Sequence, residues 1–204
     1  MAQHISTIAI ATRNRPAFLF RCIESFARNA RSYGRDVRFV ISDNTSNPAV
    51  RRRIVEGLKV LSRASAIDVD YCGCAERLKY LPFLAKELDT DPKLVRFAID
   101  GYPRVGPCIG ANRNALLLST IDERVLSVDD DTVCAVAAHP QRSSCVLVTD
   151  CGDPTQIWFL KSRSIARRLA SQESVDVVGL FERVLGRSLE DLSREHPGLI
   201  DDCL

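Results

Sequence analysis

No run of the chain comes near the roughly 18–20 consecutive apolar residues that a membrane span requires, so no integral membrane segment is expected among its 204 residues. The opening stretch, MAQHISTIAIATRNR, has no charged leader ahead of its short apolar run. A signal peptide is therefore not expected, and a cytoplasmic location follows by default. No G-x-G-x-x-G follows the first β-rich run, which argues against dinucleotide binding. The three histidines, His4, His139 and His196, lack ligand-like spacing. Internal repeats and low-complexity tracts are also missing. What is there has the length of one ordinary domain, 46% hydrophobic and 26% charged, the balance of a soluble globular protein with a real core.

Eight cysteines stand at 22, 72, 74, 108, 134, 145, 151 and 203, but only Cys72 and Cys74 are close together. A structural zinc site would need a second pair or a nearby histidine, so free thiols are expected, several of them as small core residues. The net charge of +2 conceals an asymmetry. Residues 1–65 hold twelve Lys/Arg against four Asp/Glu, a balance of +8, and the remainder holds sixteen against twenty-two, a balance of −6. Arg21, Arg28, Arg35 and Arg51 to Arg53 fall mostly on the expected solvent faces of two helices, with no interleaved aromatics. A solvated surface explains them, and no nucleic-acid partner is expected.

Strands and helices alternate along the chain. Ile8–Thr12 is a β-rich run stopping at Arg13-Asn14-Arg15-Pro16, where proline suits a first helical turn. Phe18, Leu19, Cys22, Ile23, Phe26, Ala27 and Ala30 then form a helical stripe that Gly34 ends. Val37–Ser42 reads as a second strand, followed by a turn cluster and a helix with Val50, Ile54, Leu58 and Leu61 on one face. Ile67–Cys72 is a third strand, Ala75–Leu88 a helix interrupted at Pro82, and Val95–Ile99 a fourth strand. After a loop at 101–107, Gly110–Ser119 reads as a helix and Arg124–Val128 as a strand running into three aspartates. Further strands are expected at Ser144–Thr149 and Gln156–Leu160, and helices at Ser162–Ala170 and Val175–Leu185. Trp158 reads as core and Asp150–Asp153 as a plain turn. This alternation implies an α/β layer sheet, mostly parallel, with ligands at the carboxyl ends of the strands.

The chemistry-bearing residues cluster just after strands. Asp129-Asp130-Asp131 place three carboxylates at one sheet edge. Acids one residue apart suit a hard cation that also takes phosphate oxygens, and without one their repulsion demands some positive charge nearby. Arg113 and Asn114, read at a helix N-terminus, suit phosphate or ribose. Asp43, with Asn44, Thr45 and Ser46, reads as a turn on its own, and functionally as an acceptor for a base N–H or ribose hydroxyl.

A first strand ending in T-R-N-R-P, a second ending in S-D-N-T-S, an A-N-R-N helix and V-D-D-D together resemble the nucleotide half of a family 2 glycosyltransferase. The likeness covers roughly residues 5–135, about two-thirds of the chain. It implies a single GT-A-like domain over 1–204: a Rossmann-like layer sheet with helices on both faces, a nucleotide-sugar half at 1–135, and a short or incomplete acceptor part at 136–204. It further implies that Thr12, Arg13 and Arg15 border the nucleotide, that Asp43 faces the base and that Arg113 lies near the pyrophosphate or ribose. Asp129 and Asp130 would serve the donor, with Asp129 on the ribose, and Asp131 would hold Mn²⁺ or Mg²⁺ as in a D-x-D signature, the metal neutralising the diphosphate leaving group. The implied partners are a nucleotide-diphosphate sugar, with uridine the expected nucleoside, and an acceptor that the sequence leaves unspecified. The general base is not evident: Asp191, beside Glu190 in an amphipathic stretch, is the candidate. Two alternatives remain. One is a module that binds nucleotide sugar without transfer. The other is a haloacid-dehalogenase-like phosphatase, with Asp129 as nucleophile and Asp131 as general acid.

Overall fold

The structure, a computed structural model, describes residues 4–101, 108–136, 160–172 and 175–195. The chain divides into two compact units, His4–Cys134 and Ala135–Leu204, the latter with the first three residues. In the first unit the order is β1 (Thr7–Thr12), α1 (Pro16–Ser32), β2 (Arg38–Asp43), α2 (Pro48–Ser65), β3 (Val69–Gly73), α3 (Cys74–Glu87), α4 (Pro92–Asp100), α5 (Ile109–Ser119) and β4 (Val125–Asp129). In the second it is α6 (Arg163–Gln172), α7 (Val177–Val184) and α8 (Leu189–Glu195).

The four strands form one all-parallel sheet in the order β3-β2-β1-β4, the α/β architecture that the alternating pattern predicts. β1 and β2 are central and read as near-continuous apolar runs, because both faces are covered. Ile8, Ile10, Phe39 and Ile41 are wholly buried. Ala9 and Val40 pack with Leu116 of α5, with Ala11 and Val125 at the margin. By strand alternation Ile8, Ile10, Phe39 and Ile41 point to the opposite face. α1 and α2, packed on each other, connect strands that step the same way across the sheet and so share that face. Gly57 of α2 allows this approach: a Cβ there would collide with the Phe20 ring.

Helix starts follow their local chemistry. Pro16 opens α1, and Gly34, at φ 62, follows its end in the left-handed region. Asn47 accepts from the N–H groups of Ala49 and Val50 and caps α2.

Two expectations are corrected. Val95–Ile99 is not a strand but the centre of α4, where Val95 and Ile99, four residues apart, are the buried positions. Asp91 caps this helix by accepting from the Lys93 N–H at 2.8 Å, and Pro92 fills its first turn. A five-residue apolar run is ambiguous between strand and helix, and here the cap decides. Pro82 does not interrupt its helix: α3 runs through it from Cys74 to Glu87, with Pro82 itself exposed. Of the later elements, the helices expected near 162–170 and 175–185 are α6 and α7. The strands expected at Ser144–Thr149 and over 156–159, like Trp158 and Asp150–Asp153, lie outside the described residues.

Candidate functional site

The sheet begins in its middle. From β1 the chain moves outward to β2 and β3, then returns to place β4 on β1's other side. The strand order thus reverses between β1 and β4, and the carboxyl ends of these two strands border a crevice, the position where open α/β sheets take ligands. A cleft of about 660 Å³ lies there. It is lined by Thr12, Arg13, Asn14 and Arg15 after β1, Asn44 after β2, Ile109, Asn112 and Arg113 of α5, and Asp129 to Asp131 after β4. Its size is in the range of small-molecule and cofactor sites.

Two strand ends are tied together across the cleft floor. Asp130 is buried, and both its oxygens are engaged: Thr12 Oγ1 donates to Oδ2 at 2.7 Å and Arg15 Nη1 to Oδ1 at 3.0 Å. The same Arg15 nitrogen donates to Asp131 Oδ2 at 3.1 Å. Arg113 stands 3.5 Å from Asp129 Oδ1. The positive charge that three adjacent acids demand is therefore supplied by arginine. Asp129 and Asp131 remain 70% and 54% exposed at their side chains, open to the cleft, whereas Asp130 is a tie between strands. Beneath them the Cys22 thiol donates to the Asp129 carbonyl at 3.6 Å. Burial, with Asp130 adding to it, pushes this thiol up to about 12 and keeps it neutral.

A second layer of polar contacts underlies the cleft. Arg77 of α3 is buried, 2% exposed. It donates to Ser42 Oγ at 3.0 Å and Asn112 Oδ1 at 3.1 Å, and also to Asn44 Oδ1, with Asp100 at 3.7 Å as its counter-charge. A guanidinium only donates, so it fixes which way both amides face. Their nitrogens then hold the backbone, Asn44 at the Cys108 carbonyl (3.1 Å) and Asn112 at the Thr12 carbonyl (3.4 Å). None of this was visible in the sequence, because helical periodicity does not mark which arginine of a helix is buried. Arg77 Nε is the one buried side-chain polar atom without a partner among the described residues.

Thr12, Arg13, Arg15, Arg113, Asp129, Asp130 and Asp131 thus come together in one cleft. Asp43 does not line it. Asp43 is 1% exposed, accepts from the Thr45 N–H at 2.7 Å, the turn that its sequence context predicts, and takes the Tyr71 hydroxyl at 2.8 Å. Burial and this bond raise the Tyr71 hydroxyl above its ordinary range. Asp191 belongs to the other unit. There its carboxylate accepts from the N–H and hydroxyl of Ser188 at 3.2 and 2.8 Å, capping α8. These bonds hold it below the usual carboxylate range.

α5 starts at Ile109, so Arg113 sits one turn in from the N-terminus rather than at it. Asn114 donates to the Ala98 carbonyl at 2.9 Å, and it is Asn112 that reaches the cleft.

Among the described residues no group of three or more His, Cys, Asp or Glu is arranged to hold a metal. Asp129 and Asp131 are the exposed carboxylates of the cleft, and one or two carboxylates can hold magnesium or manganese when a ligand's phosphates complete its shell. Among the described residues, no helix is long and apolar enough to cross a membrane. Fold and cleft define an α/β protein with a parallel sheet and a charged crevice at the point where the strand order reverses. No protein-family model, curated protein or solved structure matches the chain.

Proposed function

We propose that the cleft binds a nucleotide-diphosphate sugar together with Mn²⁺ or Mg²⁺ and that the protein is a glycosyltransferase, with UDP as the first nucleotide to test. The observation that carries this reading is the meeting of Asp129 and Asp131 with Arg15 and Arg113 in a crevice at the reversal of strand order. Charge balance supports it. Arg13, Arg15 and Arg113 cancel Asp129, Asp130 and Asp131 formally, so a diphosphate brings uncompensated negative charge that a divalent cation would offset. Asp129 and Asp131 would hold the cation, Arg113 and Arg15 the phosphates, and the backbone of the Thr12–Arg15 turn would border the nucleoside. When bound, the cation acts as a Lewis acid on the leaving diphosphate. In the transfer, the acceptor oxygen bonds to the anomeric carbon as the bond from that carbon to the diphosphate breaks. The electron pair leaves with the diphosphate and the hydroxyl proton passes to a base.

One observation favours a second reading, a module that binds the nucleotide sugar without transfer. Each cleft carboxylate is engaged by arginine, and Asp191 is spent on its own helix cap. Calorimetry with UDP, with and without Mn²⁺, tests the shared site: metal-dependent binding is expected. Absence of binding by UDP and the other nucleoside diphosphates removes both readings and turns attention to phosphatase assays. Incubation with UDP-sugars then separates the two, release of UDP marking the enzyme.

A further inference from the structure

Arg15 occupies the place from which a cation would engage Asp131. One nitrogen, Nη1, bridges Asp130 Oδ1 at 3.0 Å and Asp131 Oδ2 at 3.1 Å. The other oxygen of Asp130 is taken by Thr12, so of the two carboxylates only Asp131 has capacity to spare. The Arg15 guanidinium is half-exposed, 51%, and lies over the exposed Phe18 ring, 5.9 Å from its centroid, so its solvent side is open to an incoming anion. As the N-cap of α1 it makes no side-chain cap bond.

Resting on the proposed nucleotide site, we propose that Arg15 is an internal cation that masks Asp131 until a diphosphate arrives. The diphosphate draws Arg15 onto its own oxygens, and the Asp131 carboxylate so released takes the divalent ion. Diphosphate and cation therefore enter as a pair, each raising the other's affinity. The coupling is reciprocal by linkage, and a displacement of this kind is of the order of tenfold. In this scheme Arg15 binds the diphosphate and governs when Asp131 becomes available.

The test is titration of Mn²⁺ alone, followed by the electron paramagnetic resonance signal of the free ion, on the full chain and on Arg15→Ala. The variant is expected to bind Mn²⁺ about tenfold more tightly. UDP should raise Mn²⁺ affinity in the wild type and much less in the variant, and UDP affinity itself should fall in the variant. Arg15→Gln, which keeps a hydrogen-bond donor without the charge, should behave like Arg15→Ala and guards against an effect of truncation. Equal Mn²⁺ affinity in wild type and both variants overturns the masking role. The two ideas fail separately. If UDP does not bind the wild type, the nucleotide reading falls, while the comparison with Mn²⁺ alone still decides whether Arg15 covers the carboxylates.

Discussion

The two ends of the sheet carry arginine–carboxylate clusters used in opposite ways. At the amino ends, Arg38, the first residue of β2, spends all three guanidinium nitrogens on the protein. Nε and Nη2 both donate to Glu123, Nη1 to Asp70 and Nη2 also to the Ser119 carbonyl, and Thr7 of β1 donates to Glu123 as well. At the carboxyl ends, Arg15 makes its hydrogen bonds to described residues through one nitrogen, and Arg113 stands 3.5 Å from a mostly exposed carboxylate. A fork used to capacity clamps strands together. A fork with nitrogens to spare is available to a ligand. What separates a structural clasp from a candidate site is thus the unspent capacity of the groups, not their identity.

Three substitutions probe that contrast. The largest effect is expected beneath the open end, at Arg77→Met. It leaves Ser42, Asn44 and Asn112 without their shared donor and Asp100 without its partner. A cost of about 3–5 kcal/mol follows, typical of breaking a buried charged network, read as a fall in the urea midpoint. A loss below about 1 kcal/mol would mean that the floor of the cleft is not structural. Next, Asp131→Ala should weaken Mn²⁺-dependent UDP binding at least about tenfold, or 1.4 kcal/mol, with an unchanged urea midpoint. A shifted midpoint with unchanged affinity would make Asp131 part of a clasp like that of Glu123. The smallest effect is expected at Glu123→Gln, about 1 kcal/mol of stability with nucleotide binding intact.

The Glu123 variant also carries a pH signature. Hydrogen bonds from Arg38, then Thr7, hold the Glu123 carboxyl below its ordinary value of 4.5. A depressed folded value means stability that is fully present above the unfolded value and lost as pH falls through the folded one. Unfolding curves of the wild type should therefore weaken below about pH 4.5, and Glu123→Gln should be less sensitive there. Identical acid profiles would remove Glu123 from the clasp.

Much of the site was legible from the sequence because β-rich runs end abruptly in polar turns: Thr12–Arg15 and Asp129–Asp131 both meet in the cleft for that reason. The start of α5 was legible to within one residue, Gly110 against Ile109, but periodicity did not show which amide faces the cleft, Asn112 rather than Asn114. The α4 segment misled because VRFAI satisfies both a strand's composition and a helix's i, i+4 spacing. Arg77 was hidden because burial of a charge depends on partners drawn from β2, α4 and α5, far apart in sequence. Asp43 was read both ways, and the buried turn that the structure gives it comes from its own two-residue neighbourhood.

The strand order also sets a timetable. β1 pairs with β2 across 31 residues (Thr7 with Arg38) but with β4 across 118 (Thr7 with Val125). Loop closure over the longer span costs more chain entropy and comes with slower, non-local pairing. The β1-α1-β2-α2-β3 stretch can therefore collapse first, and the crevice exists only once β4 docks beside it. The ligand site would thus appear only after β1, β2 and β3 have paired, late in the assembly of this sheet.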